Sequence, residues 1–230
     1  MSVIRLGVQQ TELGRHDMTF AVTTKRQEIA KFLVRHEIFQ TFLNVPGVIV
    51  EGGVNNGQGV CSWLHFSSIY EPYNYTRKIV GFDTFEGFPH ISNEDSSSHP
   101  ESRVGGYSGA SIESLRSVVR EHDEDRPLGQ IAKVELVAGD ACLTIPKYLQ
   151  TNPQLVVACL NLDFDLYEPT AVALKTFLPR MPRGAVIVFD ELNSYDWPGE
   201  TVALASTIGI NNLNLKRHNF HSQVAYAILD

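Results

Sequence analysis

Short apolar runs rich in β-branched residues alternate with helix-like segments along most of the chain, and this alternation constrains the fold more than any other feature. Consecutive parallel strands need a crossover connection, which is usually a helix and almost always right-handed. The pattern therefore predicts a doubly wound α/β fold with a mostly parallel sheet covered on both faces. The predicted strands are 48–50, 78–83, 133–137, 155–162 and 185–189, and the predicted helices are 23–44, 57–70, 111–120, 170–178 and one near residue 201.

The two ends of the chain differ from this repeating centre. Segments 213–217 and 224–229 flank a short polar loop and predict a closing C-terminal antiparallel hairpin. Residues 1–46 form a predicted N-terminal helical segment whose apolar residues either pack on the same domain or form a homodimer interface. We expect one domain over residues 1–230, with a mobile lid at 90–110 centred on the polar stretch from Ser92 to Gly109.

Composition excludes several classes of partner. The formal net charge is −7 and the basic pairs are scattered, so we expect no nucleic-acid interface. No run of about 18 apolar residues is present, and the N-terminus lacks the apolar core of a signal peptide, so we expect neither a membrane span nor export. Cys61, Cys142 and Cys159 are odd in number and lack CxxC spacing, which favours free thiols and a cytoplasmic location.

A glycine-rich turn follows the first predicted strand, where open parallel sheets bind their ligands. Its sequence, residues 51–59, reads EGGVNNGQG. Glycines let the backbone approach a ligand closely, but the leading Glu51 would repel the pyrophosphate of a dinucleotide. S-adenosylmethionine carries an ammonium and a sulfonium and no phosphate, so this turn favours that cofactor over a nicotinamide.

Acidic residues also follow the next two predicted strands. Asp83 could accept hydrogen bonds from ribose hydroxyls, and Asp140 could lie near the adenine. Each alone could instead cap a helix, the commoner role of an Asp at such a position. Three acids at successive strand ends are harder to explain as caps. We expect cofactor contacts from Glu51, Gly52, Gly53, Asn55, Gly57, Asp83, Thr84, Phe85, Gly139, Asp140 and Asp163.

Four further acids follow the fourth and fifth predicted strands. Asp163 and Asp165 share one strand face, and Asp190 and Glu191 end the neighbouring strand. Unpaired carboxylates so crowded would repel each other and bind protons, so the cluster favours Mg²⁺ or another hard divalent cation. Asp163, Asp190 and Glu191 are the predicted metal ligands. The alternative is pairing with nearby Arg or Lys side chains, or helix capping.

This arrangement suggests a reaction. A metal beside the methyl donor can lower the pKa of an acceptor hydroxyl and orient it toward the sulfonium methyl. Asp165 is then the candidate general base, with His90, His99 and His221 as rivals.

At these residues the chain resembles the macrocin O-methyltransferase family, metal-dependent enzymes that methylate sugar hydroxyls of natural products. The resemblance rests on 50–54 with Gly57, on 81–89 (GFDTFEGFP), on 139–141 (GDA), on 162–170 (LDFDLYEPT) and on 189–201. It implies that Glu51, Gly53, Asp83 and Asp140 line the cofactor site. It also implies that Asp163, Asp190 and Glu191 hold Mg²⁺ and that Asp165 is the base. Glu191 replaces the second Asp of many relatives, as in a subgroup acting on deoxysugars of enediyne-like products.

Three other functions remain open. The acceptor could be a catechol-like or other non-sugar hydroxyl, which aromatic lid residues such as Phe88 and Tyr107 would suit. The chain could bind S-adenosylmethionine without catalysis, although Asp165 would then have no purpose. A nicotinamide oxidoreductase is disfavoured by Glu51. The small-molecule acceptor, expected to be a glycosylated compound, is not defined by the sequence.

Overall fold

The computed structural model describes residues 20–230, and a seven-stranded sheet forms the centre of this part of the chain. The strands lie in the order β3-β2-β1-β4-β5-β7-β6, with β1 to β5 parallel and β7 antiparallel to both β5 and β6. The predicted α/β fold and C-terminal antiparallel hairpin are therefore confirmed. The strands are β1 (Val48–Gly52), β2 (Ile79–Asp83), β3 (Val134–Ala138), β4 (Val157–Leu162), β5 (Val186–Phe189), β6 (Lys216–Arg217) and β7 (Ala225–Ile228).

Seven α-helices within residues 20–230 accompany the sheet. They are α1 (Phe20–Thr23), α2 (Arg26–Phe42), α3 (Gln58–Tyr70), α4 (Ile112–Asp125), α5 (Ala141–Thr151), α6 (Tyr167–Phe177) and α7 (Pro198–Thr207). The sequence analysis did not predict α5, which contains Pro146. Because proline lacks the backbone N–H and disfavours a helix interior, it obscured the helical pattern there.

Both faces of the sheet are buried, as a doubly wound fold requires. On one face, Phe39 and Phe42 of α2 pack with Trp63 and Phe66 of α3 in a continuous apolar cluster. On the other face, α5, α6 and α7 contribute a second cluster. Its members include Ile145, Phe177 and Leu204, which pack with residues of β1, β2, β4 and β5. The central strands consequently have almost no exposed side chains.

The N-terminal helical segment is confirmed from residue 20 onward, while residues 1–19 of the predicted segment lie outside the described residues. Val34, Ile38, Phe39 and Phe42 turn the apolar face of α2 onto its own domain, and Leu33 is 44% exposed. A homodimer through α2 stays a prediction. No helix among residues 20–230 combines the length and hydropathy needed to cross a membrane.

The predicted lid segment is anchored at two points. Asp95 is buried and its Oδ1 accepts a hydrogen bond of 2.6 Å from the backbone N–H of Tyr167 at the start of α6. Farther along, Tyr107 packs on Trp197 with ring centroids 5.2 Å apart. These contacts hold the segment over the carboxyl end of the sheet. Its movement as a lid stays a prediction.

Candidate functional site

The site lies at β1, between its neighbours β2 and β4, where the order of the strands in the sheet reverses. The turn after β1 bends back at Gly53, which has a φ of +81°. A Cβ atom at this position would lie 1.9 Å from the carbonyl oxygen of Asp163, so only glycine allows the turn to pack on the end of β4. The glycine-rich turn therefore joins the predicted cofactor and metal residues in one place.

Two adjoining cavities open on this turn. The first lies between the turn, the end of β2 and the segment 87–90, and its lining includes the predicted cofactor residues Thr84 and Asp140. The second lies between the turn and α2, and its lining includes Glu51, Asp190 and Glu191. Residues common to both linings are Gly53, Asn55, Tyr107, Asp163 and Asp165.

Asp83 lines the first cavity but also has a structural task. Its Oδ2 accepts hydrogen bonds from the backbone N–H groups of Val54 and Asn55 at 2.7 and 2.8 Å, and its Oδ1 accepts one from Phe85 at 2.7 Å. Asp83 therefore fixes the glycine-rich turn from the neighbouring strand. A contact with ribose hydroxyls would use the remaining lone pairs of the same carboxylate, and it stays a prediction.

Asp140 also lines the first cavity, and it caps α5. Its Oδ1 accepts a hydrogen bond of 2.8 Å from the backbone N–H of Cys142. The capping alternative weighed for such acids is thus realised at Asp140, beside its place in the cavity wall. Four other predicted cofactor residues lie outside both cavity linings and shape the surrounding backbone; they are Gly52, Gly57, Phe85 and Gly139.

Asp163, Asp190 and Glu191 come together in the second cavity, as the sequence predicts, but two cations from α2 join them. Lys31 Nζ lies 2.7 Å from Asp190 Oδ2 and 3.7 Å from Asp163 Oδ2. The guanidinium nitrogen Nη2 of Arg35 lies 3.7 Å from the same Asp163 oxygen. The sequence analysis missed both residues. The available signal was two basic residues at i and i+4, one helical turn apart, on helix α2 beside its buried residues Val34 and Ile38.

The electrostatics of this cluster reflect an excess of carboxylates over cations. Burial and the neighbouring Asp190 raise the pKa of Asp163, while burial and the same neighbour raise the pKa of Glu191 to about 7. Burial favours the protonated form of Asp190 as well, but Lys31 and Arg35 outweigh it and hold the pKa of Asp190 below its usual range. Carboxylate oxygens are the donors that a hard divalent cation prefers, and such an ion would relieve the repulsion. Among the described residues, however, the group whose ligand atoms all lie within 4.8 Å of one another is His90, Cys142 and Glu168, so the metal site at Asp163, Asp190 and Glu191 stays a prediction.

Asp165 lies at the junction of the two cavities. Burial and the charge of Asp163 raise its pKa well above the usual range of a carboxyl group. Its φ of +63° is a left-handed conformation that a non-glycine residue rarely adopts, and such conformations concentrate at functional sites. Its position at the junction, open to both cavities, fits a general base.

The rival bases are placed less favourably. The imidazole of His90 lines the first cavity but its Nε2 pairs with Glu168. His99 packs on the Trp197 ring at 4.9 Å, and burial lowers the pKa of His221, near Asp190. These three histidines are absent from the lining of the second cavity, within the described part of the chain.

Glu200 is a further residue whose role the sequence did not indicate. It is fully buried, and its Oε1 accepts a hydrogen bond of 3.0 Å from the backbone N–H of Glu191. Gln223 Nε2 donates to Glu191 Oε2 at 3.0 Å from the opposite side. Together they fix the position of Glu191 in the cavity wall, as supporting residues commonly do around metal ligands.

The chain matches one known protein family over most of its length. Residues 21–204 match the sequence model of the family described as Macrocin-O-methyltransferase (TylF). A relative from Streptomyces olivaceus, 8-demethyl-8-(2,3-dimethoxy-alpha-L-rhamnosyl)-tetracenomycin-C 4'-O-methyltransferase, is 28% identical over 148 residues. That alignment covers 64% of this chain and 53% of the relative, so the chain matches about half of the relative's length.

Solved structures give a closer match. The crystal structure of the calicheamicin methyltransferase CalS11 is 33% identical, has a TM-score of 0.88, and is matched over 91% of this chain and 82% of its own. A structure of CalS11 described as a TDP-rhamnose 3'-O-methyltransferase is 31% identical, with a TM-score of 0.81 and coverage of 95% and 88%. The O-methyltransferase NovP shares the fold at 20% identity and a TM-score of 0.67, over 87% of this chain and 80% of its own.

Proposed function

The chain belongs to the macrocin O-methyltransferase family, and from that premise we propose that it transfers the methyl group of S-adenosylmethionine to a hydroxyl group of a sugar. The observation that carries the proposal is the junction of the two cavities at Asp165. On one side lies the glycine-rich turn with its acidic flanks, and on the other lies the carboxylate cluster. A methyl donor and a hydroxyl acceptor bound on these two sides would meet at this carboxylate.

The cofactor would occupy the first cavity and extend over Gly53 into the second. Asp83, Thr84 and Asp140 would face its adenosine part, and Glu51 would face its ammonium group. Glu51 is 1% exposed and its Oε2 accepts a hydrogen bond of 2.5 Å from Trp63 Nε1, so its carboxylate has a fixed position. A fixed carboxylate favours a cationic ligand over a dinucleotide phosphate.

Asp163, Asp190 and Glu191 would hold Mg²⁺ or another hard divalent cation. When bound, such an ion supplies Lewis-acid chemistry that lowers the pKa of a coordinated hydroxyl. The support lies in the residues themselves, since all three carboxylates line one cavity and two of them, Asp163 and Asp190, pair with the ammonium of Lys31. Glu200 and Gln223 would keep Glu191 in place as a ligand.

Asp165 would act as the general base. Its carboxylate accepts the proton of the acceptor hydroxyl while the hydroxyl oxygen attacks the sulfonium methyl group. The new O–C bond forms as the C–S bond breaks, and the sulfur leaves as the neutral thioether of S-adenosylhomocysteine. Holding both reactants in line is the larger part of such catalysis, and a base at the junction serves it directly.

A sugar is the favoured acceptor because two of the relatives are named for rhamnose-containing substrates. The segment 90–110 would close over the acceptor as a lid and determine its identity. Its aromatic residue Tyr107 packs with Phe88 and Trp197 beside Asp165. Aromatic rings suit a sugar face, and they would equally suit a flat catechol-like acceptor, which is the second candidate.

The reaction would take place in the cytoplasm as part of natural product biosynthesis. All three cysteines are free thiols, which fits a reducing compartment. The partner would be a small glycosylated molecule, with neither nucleic acid nor membrane involved, and α2 remains the candidate surface for a homodimer.

The test is methyl transfer from S-adenosylmethionine to TDP-rhamnose, followed by mass spectrometry, with a catechol as the competing acceptor. We expect methylation of the sugar that stops in excess chelator and returns with Mg²⁺. Asp163→Ala should lose this activity and keep S-adenosylhomocysteine binding. Asp196→Ala, which removes an exposed acid from the neighbouring loop between β5 and α7, should keep both. Full activity in chelator would exclude the metal, and methylation of the catechol alone would favour the second candidate.

A further inference from the structure

Arg35 is a buried cation that faces the second cavity without a full set of partners. Its side chain is 4% exposed, and it belongs to the lining of the cavity. A guanidinium carries five N–H donors. Among the residues that the structure describes, its hydrogen bond goes to Gln58 Oε1 at a long 3.3 Å, and Asp163 Oδ2 at 3.7 Å is beyond hydrogen-bond range. The guanidinium thus retains free donors that point to an anionic ligand.

The surroundings place this cation at the cofactor turn. Gln58 begins α3 directly after the glycine-rich turn, and its amide donates to Glu28 on α2 while its oxygen accepts from Arg35. Arg35 and the buried Glu51 line the same cavity, and the charge of Arg35 opposes the rise that burial causes in the pKa of the Glu51 carboxyl. One anionic and one cationic side chain, Glu51 and Arg35, therefore flank the glycine-rich turn.

The amino-acid end of S-adenosylmethionine has the matching pair of charges, an α-ammonium and an α-carboxylate. We propose that Arg35 binds the α-carboxylate of the cofactor while Glu51 receives the α-ammonium. Arginine suits this task because its planar donors match both oxygens of a carboxylate. The inference rests on the cofactor part of the proposed function and adds a binding residue from α2, outside the sheet motifs that normally define such sites.

An anionic acceptor, such as the diphosphate of a sugar nucleotide, is the competing ligand for Arg35. The position of the side chain favours the cofactor. It is almost fully buried, its hydrogen bond goes to Gln58 of the turn, and it lines the same cavity as Glu51 and Gly53. Lys31, one turn earlier on α2, is 26% exposed and lies on Asp190, nearer the side on which the acceptor would bind.

The test compares two ligands by calorimetry, S-adenosylhomocysteine and 5'-methylthioadenosine, which lacks the amino-acid end. Arg35→Met should weaken S-adenosylhomocysteine binding by about 10- to 100-fold, the range for a lost charged hydrogen bond, and leave methylthioadenosine unchanged. The S-adenosylhomocysteine affinity of Arg35→Lys should lie between these two values, because lysine keeps the positive charge but cannot donate two parallel hydrogen bonds to a carboxylate. Arg26→Met, at an exposed position of the same helix, is the matched control and should change neither affinity.

Each alternative result has a definite meaning. Equal loss of both ligands in Arg35→Met and Arg35→Lys would show that Arg35 only shapes the cleft, and no loss would show that the carboxylate lies elsewhere. Weaker binding of TDP-rhamnose with normal S-adenosylhomocysteine binding would assign Arg35 to the acceptor. All three overturn the proposal. Failure of the unaltered protein to bind either adenosine ligand would overturn the proposed function itself.

Discussion

The two cavities of the site are built in different ways, although they share five residues. The first is shaped mainly by backbone, and its acids form hydrogen bonds with that backbone: Asp83 with the glycine-rich turn and Asp140 with the start of α5. The second is shaped by charged side chains from β1, β4, β5 and α2 that face one another. The first cavity therefore depends on the integrity of the fold, whereas the second depends on the balance of charges.

The residues that maintain the fold are therefore expected to differ from those that carry out the reaction. Changes in the first cavity should disturb stability and cofactor binding together, because the same carboxylate serves both. Changes in the second should alter catalysis and ion binding and leave the fold largely intact, because the sheet beneath it is held by apolar packing. The following variants test this separation.

The largest effect is expected at Asp165, where a substitution should slow methyl transfer without weakening cofactor binding. Asp165→Asn keeps the size of the side chain and removes its capacity to accept a proton. We expect the rate of methyl transfer to fall by about 100- to 10,000-fold, the usual contribution of a general base. Single-turnover rates measure the loss, and calorimetry should give S-adenosylhomocysteine affinity within about twofold of the unaltered protein. A normal rate would transfer the role of base to another residue, with His221 the first to test.

In the first cavity, Asp83→Ala should damage fold and binding together. It leaves the three backbone N–H groups of Val54, Asn55 and Phe85 without their acceptor. We expect a loss of about 2–4 kcal/mol in the free energy of unfolding, together with weaker S-adenosylhomocysteine binding. Urea unfolding and calorimetry measure the two.

Asp140→Ala provides the comparison for Asp83, because it removes one capping hydrogen bond in the same cavity. This substitution should lower the free energy of unfolding by about 1 kcal/mol, the usual contribution of a helix cap. If Asp83→Ala costs no more than Asp140→Ala, the turn is held by other contacts and the contrast between the cavities disappears.

Much of this contrast could be predicted from the sequence. Strand periodicity located the parallel strands, and because their carboxyl ends meet at one edge, it also brought Asp163, Asp165, Asp190 and Glu191 together. The glycine at position 53 and the acid at 51 marked the glycine-rich turn on which both cavities open. These are local signals, in which residue type and position along a strand determine the place in the fold.

The features that the sequence did not predict depend mainly on contacts between residues far apart in the chain. Lys31 and Arg35 reach the acids from a helix more than a hundred residues away in sequence, and their role follows only from how α2 packs on the sheet. Asp95 likewise lies in a polar stretch that predicted mobility, yet it is buried against α6. Helix α5 was missed because Pro146 interrupts its local pattern. Tertiary packing decided each case.

Asp95→Ala tests whether the segment over the first cavity is part of the fold or a separate element. The substitution removes the acceptor for the backbone N–H of Tyr167 and for the N–H and hydroxyl of Ser92. We expect a loss of about 1–3 kcal/mol in the free energy of unfolding, and faster proteolysis within 92–109. Glu94→Ala, an exposed neighbour, is the control. Unchanged proteolysis would show that the aromatic contacts of Tyr107 are sufficient to hold the segment.

The smallest effect is expected at Lys31, where the charge balance of the second cavity can be adjusted without loss of shape. Its ammonium lies on Asp190 and near Asp163, the carboxylates that a divalent cation would also require. Lys31→Met should therefore strengthen Mg²⁺ binding, and since a partly exposed ion pair contributes up to about 1 kcal/mol, the gain should be roughly two- to fivefold. Calorimetric titration with Mg²⁺ measures it, with the exposed Lys25→Met as control. Weaker Mg²⁺ binding would mean that Lys31 supports the site instead of competing for it, and the second cavity would then depend on α2 for its shape as the first depends on its turns.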